Sequence, residues 1–143
     1  GLALPSGVAS IRSMAARAAA AGALTPALAA DYHLRDPAGA FLYLQLSAFN
    51  TAFEQLDLFR RLFAVDALVP VERMAELTLP MLVIAGTHDL IWPPDVLREL
   101  AGRLPDARFV EVDAGHSAYF ENAAPFNAAL ATFLDEVAPV TPG

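Results

Sequence analysis

The chain has 143 residues, of which 56% are hydrophobic, and its 16 acidic against 9 basic side chains give it a formal net charge of −7. This acidic balance argues against nucleic-acid binding, which needs a basic surface, and the lack of cysteine excludes disulfides and thiol catalysis. The longest uncharged alanine-rich run, residues 18–30, is too short to span a membrane, and because no signal-peptide pattern is visible we expect a cytoplasmic protein.

The first half of the sequence predicts a set of helices. A helix capped by Ser6 runs to about residue 21. Thr25, a capping residue followed by a proline, predicts a short helix over residues 25–31. Asp36 is also followed by a proline and predicts the start of a longer helical stretch over residues 36–63. A further short helix over residues 69–77 leads into the second half.

The longer helical stretch carries many aromatic side chains, which can be interpreted in two ways. They form the core of a helical subdomain, or some of them line an apolar cavity. The second interpretation favours an apolar or aromatic acyl substrate over a sugar or a phosphate. The aromatic residues of this stretch are Phe41, Tyr43, Phe49, Phe53, Phe59 and Phe63.

The second half predicts a β-α-β unit. Residues 81–85 form a short apolar run typical of a strand buried on both faces and stopped by Gly86, and residues 109–112 form a second strand. Pro93-Pro94 opens a helix between them that closes near residues 103–105. A right-handed crossover lays the strands parallel, so the loops that follow them meet at one edge of the sheet, where open α/β sheets bind ligands.

Asp89 and His116 each lie just beyond the carboxyl end of one of these strands. An imidazole can accept a proton near neutral pH, and a carboxylate on its other nitrogen selects the tautomer and stabilises the imidazolium. A turn aspartate or a loop histidine without a catalytic role would explain either residue alone. Their joint position favours a base oriented by an acid. Trp92 and Tyr119 flank the two loops and either wall a pocket or simply pack.

The motifs around these residues resemble the C-terminal half of an α/β-hydrolase. Asp89 stands in a G-x-x-D pattern after one strand and His116 in a G-H-S pattern after the next, which is the acid-then-histidine order of that family. The resemblance implies that Asp89 is the orienting acid and His116 the general base. It also implies a lid of helices above them. The candidate substrate-pocket residues are Phe41, Tyr43, Phe49, Phe53, Trp92 and Tyr119.

The predicted fold class is α/β, as the C-terminal part of an α/β-hydrolase-type parallel sheet, with two strands here, and a helical lid. The lid segment covers residues 1–77, the β-α-β-α part of the core covers residues 78–138, and residues 139–143 form a tail. Two parallel strands alone would leave their edges unpaired, and the mean hydropathy of +0.44 is high for so small a chain. We therefore expect a partner chain to complete the sheet.

The family's nucleophile is missing from these 143 residues. No G-x-S-x-G pattern occurs, and Ser6 in Leu-Pro-Ser-Gly lacks the leading glycine. We expect a Ser-His-Asp triad whose serine belongs to a second chain or to an N-terminal segment of the same gene, and no activity without it. The expected reaction is hydrolysis of an ester, thioester or related acyl substrate, with no metal and no cofactor.

Several alternatives stay open. The same acid–histidine pair serves acyltransferases, carbon–carbon bond hydrolases, and the dehalogenases and epoxide hydrolases whose nucleophile is aspartate. A hydrolase-derived subunit could instead bind an apolar ligand without catalysis, or merely complete a partner's sheet. Asp113 competes as the partner of His116, but its position favours an Asx-type turn. His88 beside Asp89 suggests a metal site, which adjacent ligands in one loop rarely build.

Overall fold

The computed structural model describes residues 7–49 and 71–138. Three features of the sequence lie outside the described residues. These are the predicted cap Ser6, the helical stretch beyond residue 49 with Phe53, Phe59 and Phe63, and the tail over residues 139–143.

The described residues form helices around a pair of strands. In chain order they are α1 (Gly7–Ala20), α2 (Tyr32–Arg35), α3 (Pro37–Ala48), a 3-10 helix (Val71–Glu76), β1 (Met81–Gly86), α4 (Pro94–Ala101), β2 (Ala107–Val112), α5 (Ala118–Glu121) and α6 (Ala123–Val137). In this part of the chain no helix combines the length and the apolar character needed to cross a membrane.

Helix α1 confirms the predicted first helix and ends where a glycine lets the chain turn. Gly22 has a φ of +68°, in the left-handed region that favours glycine. The N–H of Ala23 donates to Ala18 O over 2.9 Å, and the N–H of Gly22 donates to Ala19 O over 3.1 Å. This pair of hydrogen bonds is the Schellman pattern, which satisfies the last carbonyl groups of a helix.

The predicted short helix over residues 25–31 is wrong, because this segment is a series of turns. Its backbone groups bond to a distant part of the chain. Ala27 O accepts from Ser117 N over 2.9 Å, and Ala29 N donates to the Glu121 carboxylate over 3.1 Å. These long-range hydrogen bonds satisfy groups that a helix would have paired locally.

Helix α3 begins as predicted at Asp36, which acts as its N-cap. Asp36 Oδ1 accepts from Gly39 N over 2.9 Å, and Pro37 occupies the first helical position. The other carboxylate oxygen accepts from the Tyr32 hydroxyl over 3.1 Å. The Asp36 side chain therefore caps the start of α3 and links it to α2 by a hydrogen bond.

Strands β1 and β2 pair in parallel, as predicted, with Met81 opposite Ala107 and Gly86 opposite Val112. Burial on both faces, which the sequence predicts for β1, holds only for its last two residues, Ala85 and Gly86. The first four residues are half-buried, since β2 is the only strand paired with β1 in the described residues.

The helices of the second half follow the prediction more closely than the ends of the strands do. Helix α4 lies between the strands and α6 closes the described chain, as expected. Strand β2 begins at Ala107, earlier than the apolar run at residues 109–112 indicates. The short helix α5 was not predicted.

Two small clusters of buried apolar side chains lie within the described residues. The first comprises Leu28, Ala29, Tyr32 and Ala40, with Tyr43 and Phe120 packed against them. The second comprises Val112, Ala114 and Ala118, with Ile84, Val110 and Phe126 packed against them. The ring of Phe120 contacts Tyr32 and Tyr43 edge-on, with centroid distances of 6.4 and 5.2 Å. Helix α5 therefore joins the helical half to the strands.

Candidate active site

The side chains of Asp89 and His116 meet at the carboxyl edge of the two strands. Asp89 Oδ2 lies 2.9 Å from His116 Nδ1. The carboxylate side chain is only 3% exposed, whereas the imidazole is 39% exposed. Because a carboxylate only accepts hydrogen bonds, the proton of the neutral ring lies on Nδ1 and the lone pair on Nε2. Among the described residues Nε2 has no hydrogen-bond partner, so the pair presents an oriented base.

Asp89 is held in place by the loop that follows β1. Its second oxygen, Oδ1, accepts from the backbone N–H groups of Ile91 over 2.7 Å and Trp92 over 2.9 Å. This is the turn geometry that a short acidic side chain favours. Arg17 of α1 also stabilises this loop, because its guanidinium donates to Leu90 O over 2.8 Å and to Ile91 O over 3.1 Å. One carboxylate oxygen is thus anchored to the backbone, which leaves the other for the imidazole.

The loop that carries His116 packs closely against the end of β1. The N–H of His88 donates to Ala114 O over 3.0 Å. A Cβ at Gly86 would collide with the carbonyl oxygen of Gly115, so only glycine permits this approach. Gly86 is the last residue of the strand instead of the stop that the sequence predicts, and its lack of a side chain lets the loops of Asp89 and His116 come together.

The loop that carries His116, residues 113–117, is called the histidine loop. Its other side contacts the helical half, the described part of the chain from residue 7 to residue 49. The side chain of Ser117, which belongs to a residue only 2% exposed, lies with its Oγ 2.8 Å from the Tyr43 hydroxyl. The N–H of Ser117 donates to Ala27 O over 2.9 Å. Tyr43, a predicted pocket residue, therefore links α3 to the residue that follows His116.

A buried carboxylate, Glu121, lies beside this loop and was not singled out from the sequence. None of its side chain is exposed, and Arg35 Nη2 lies 3.8 Å from its Oε2. Its Oε1 accepts from Gly115 N over 3.0 Å, and Ala29 N donates to both oxygens, over 3.1 and 3.2 Å. Burial raises the pKa of Glu121 above its ordinary value, although the two backbone N–H groups and the Arg35 charge oppose this effect.

Asp113 does not make the Asx-type turn that the sequence predicts. Its Oδ1 lies 3.0 Å from His88 Nε2, in a pair whose side chains are 72% and 55% exposed. Asp113 therefore faces His88 and does not compete for His116. In the part of the chain that the structure describes, no group of three or more His, Cys, Asp or Glu could hold a metal ion.

The remaining predicted pocket aromatics differ in their surroundings. Phe41 and Phe49, on α3 and at its end, are 65% and 83% exposed, and Tyr119 is 58% exposed. Trp92 is half-buried in the loop of Asp89. Phe53 lies outside the described residues. The role of these side chains in a substrate pocket stays a prediction.

An open cavity of about 410 Å³ lies beside the acid. Its lining consists of Ala30, Asp31, Thr87, His88, Asp89 and Leu90. None of the predicted pocket aromatics contributes to this lining. The cavity is therefore walled by small aliphatic and polar groups contributed by the 30–31 segment and by the loop after β1.

Glu121 and Arg17 contact the loops of His116 and Asp89, and neither was singled out from the sequence. They differ in how visible these contacts are in the sequence. Glu121 is the last residue of the short helix α5, which begins two residues after His116, so its position near this histidine was visible in the sequence. Arg17 stands 73 positions before Leu90, the first carbonyl it contacts. No local pattern reveals a contact over that separation, which only the tertiary structure creates.

Comparison with known proteins places this geometry in a family. A family model described as the alpha/beta hydrolase fold matches residues 8–123. The enol-lactonase from Burkholderia xenovorans superposes with a TM-score of 0.64 at 28% identity, over 93% of this chain and 50% of that one. BpoC from Mycobacterium tuberculosis, a non-heme bromoperoxidase by name, superposes with a TM-score of 0.65 at 24% identity, over 85% of this chain and 46% of that one.

Two sequence relatives match this chain over shorter stretches. BpoC is 39% identical over 59 residues, which are 41% of this chain and 22% of BpoC. The polyketide synthase ThaQ from Burkholderia thailandensis is 34% identical over 85 residues, which are 57% of this chain and 4% of ThaQ. The chain spans 50% of the enol-lactonase structure, so it corresponds to about half of such a protein.

The family match covers most of the chain and includes both members of the acid–histidine pair. It agrees with the parallel pairing of β1 and β2 and with the helices around them. On this evidence the chain belongs to the α/β-hydrolase fold family.

Proposed function

We propose that this chain supplies the acid and the base of a hydrolase that acts through a Ser-His-Asp triad. The observation that carries the proposal is the 2.9 Å contact between Asp89 Oδ2 and His116 Nδ1 at the carboxyl edge of the strands. In this role His116 Nε2 removes the proton from the attacking hydroxyl and later donates it to the leaving group. Asp89 keeps the imidazole in the required tautomer and stabilises the imidazolium.

The serine and the oxyanion-hole donors come from outside these 143 residues in this proposal, either from a second chain or from another segment of the same polypeptide. The sequence has no G-x-S-x-G pattern to supply the nucleophile. The family's solved structures support a missing portion, since the chain spans about half of them, for example 50% of the enol-lactonase.

The proposed substrate is an ester, thioester or lactone with an apolar acyl group. The fold match to an enol-lactonase at 28% identity supports ring or chain esters as the substrate class. Two exposed aromatic side chains, Phe41 on α3 and Phe49 just after it, support an apolar acyl group in this proposal.

The decisive experiment replaces His116 by alanine in the complete protein, meaning this chain together with the segment that carries the nucleophile. Hydrolysis of p-nitrophenyl esters should fall about 10⁴-fold or more in kcat, because the attacking hydroxyl loses its base. The matched control is His33→Ala on α2, which removes a histidine away from the pair and should leave turnover unchanged.

Three outcomes would contradict the proposal. Ester hydrolysis that survives His116→Ala would mean that His116 is not the base, and binding of an apolar ligand without any turnover would favour a non-catalytic subunit. Robust turnover by the 143-residue chain alone would contradict the claim that the nucleophile lies elsewhere.

A further inference from the structure

Glu121 is a buried carboxylate that the proposed reaction does not use. Its side chain is fully enclosed, although burying a carboxylate is costly unless hydrogen bonds and charges compensate it. The nearest cation, Arg35 Nη2, lies 3.8 Å away, beyond hydrogen-bonding distance. A residue whose only task was to fill space would be better replaced by an apolar side chain, so the contacts of the carboxylate need another explanation.

Those contacts join two separate segments of the chain. Glu121 Oε1 accepts from Gly115 N over 3.0 Å and from Ala29 N over 3.1 Å. Gly115 directly precedes His116, whereas Ala29 lies in the turn segment that follows α1. A single oxygen atom therefore bridges the histidine loop and the helical half.

The bridge occurs where the two segments are already in close contact. A Cβ at Gly115 would collide with the backbone of Leu28 and Ala29 and would come within 2.7 Å of Glu121 Oε1. Both N–H groups are thus enclosed and face the same acceptor. Without that acceptor the two donors would be buried and unpaired, and the loop would have to move to reach water.

We propose that Glu121 is a positioning residue, which holds the backbone before His116 against the 27–29 segment so that the imidazole keeps its Nδ1 on Asp89. This inference rests on the proposed function of the acid–histidine pair. It assigns the role to hydrogen-bond acceptance by the Glu121 side chain and not to its charge. Glutamine keeps one acceptor oxygen in the place of Oε1, but its NH₂ group takes the place of Oε2, which also accepts from Ala29 N over 3.2 Å. We therefore expect glutamine to replace Glu121 in part, whereas a shorter or apolar side chain should not.

The test compares Glu121→Ala, Glu121→Asp and Glu121→Gln in the complete protein. In Glu121→Ala and Glu121→Asp, kcat on p-nitrophenyl esters should fall about 10²-fold with KM nearly unchanged, since a misplaced base affects the chemical step more than binding. Glu121→Gln should keep more turnover than either of these variants, because its one acceptor oxygen can still bond to both N–H groups, although its NH₂ group faces Ala29 N and Arg35. The matched control is Glu99→Ala, which removes an exposed carboxylate paired with Arg103 and should change nothing.

A second readout does not depend on turnover. The Nδ1–H resonance of His116, protected from exchange by its bond to Asp89, should be observed by NMR in the natural protein and in Glu121→Gln. It should be lost or broadened in Glu121→Ala and Glu121→Asp. If the protein proves to have no esterase activity, the proposed function fails, but this resonance still reports whether Glu121 positions the ring.

Three results would overturn the inference. The first is an unchanged His116 resonance and kcat in Glu121→Ala. The second is a glutamine variant as defective as the alanine variant, which would mean that one acceptor oxygen in the place of Oε1 does not hold the loop. The third is an aspartate variant as active as the natural protein. If Glu121→Ala does not fold, the comparison of the glutamine and aspartate variants decides the question.

Discussion

At the scale of single residues, the two oxygens of Asp89 have different tasks. Oδ1 accepts two backbone N–H groups of its own loop, from Ile91 and Trp92, and Oδ2 contacts His116. Because the first oxygen is already satisfied, the carboxylate cannot rotate without losing two hydrogen bonds. The orientation of the imidazole is therefore decided by the turn that follows β1.

This arrangement predicts the effect of Asp89→Asn. The amide oxygen can keep the two backbone bonds, so its NH₂ group would face His116 Nδ1 and force the ring proton onto Nε2. That tautomer cannot accept a proton from a nucleophile, and we expect kcat to fall on the order of 10⁴-fold while the fold is retained. Steady-state kinetics and thermal unfolding of the complete protein measure the two effects.

The matched control for this change is Asp113→Asn. Asp113 pairs with His88 at the surface, and surface pairs of this kind contribute about 0–1 kcal/mol. Turnover should be unaffected. An Asp89→Asn protein with nearly full activity would show that the carboxylate does not orient the base.

At the scale of secondary-structure elements, the site depends on how closely the histidine loop approaches the end of β1. Gly86 is the last residue of the strand, paired with Val112, and has no room for a side chain. Both loops leave the sheet next to it. The close approach of backbone to backbone is what brings an acid after one strand to a histidine after the next.

The change Gly86→Ala tests this packing. The added methyl group would collide with Gly115 O, and overpacking of this kind typically costs about 1–3 kcal/mol of unfolding free energy. Denaturant unfolding should detect the loss. The loss of unfolding free energy should be accompanied by lower activity, since the histidine loop has to move away from the strand.

A second glycine provides the control. Gly102 caps α4 with a φ of −66°, and an added Cβ there would lie 3.5 Å from Glu99 O, an ordinary contact. Gly102→Ala should stabilise the protein by about 0.4–1 kcal/mol, because alanine has less freedom to lose on folding. Equal effects of the two substitutions would contradict the packing argument.

At the scale of the whole molecule, the described residues leave much apolar surface uncovered. Leu34 and Leu79 are each 73% exposed, and Phe49 is 83% exposed. The sheet of the described residues has only two strands, and unpaired strand edges readily pair with other chains. An exposed apolar surface with unpaired strand edges is expected of a segment that packs against another polypeptide segment.

This predicts how the chain behaves when it is produced alone. The 143-residue chain should self-associate, because its apolar surface and strand edges remain open, and light scattering coupled to size exclusion should show species larger than a monomer. Addition of the segment that carries the nucleophile should convert these species into a defined complex. A stable monomer that excludes hydrophobic dyes would contradict the proposal of a completing partner.

The sequence by itself determined the β-α-β unit, the two residues placed beyond its strands, the end of the first helix near residue 21, and the cap at Asp36. Each of these features depends on a local pattern: an apolar run, a capping side chain, or a short motif directly after a strand. The acid and the histidine could be paired in advance because parallel strands bring their carboxyl ends to the same edge.

Only the tertiary structure decided what holds that pair in place. The turns at residues 25–31 replace a predicted helix because Ala27 and Ala29 bond to the histidine loop and to Glu121. Arg17 reaches the acid loop from another part of the chain. Hydrogen bonds between distant segments override local propensity when the alternative is a buried, unpaired backbone group, and no pattern of neighbouring residues encodes them.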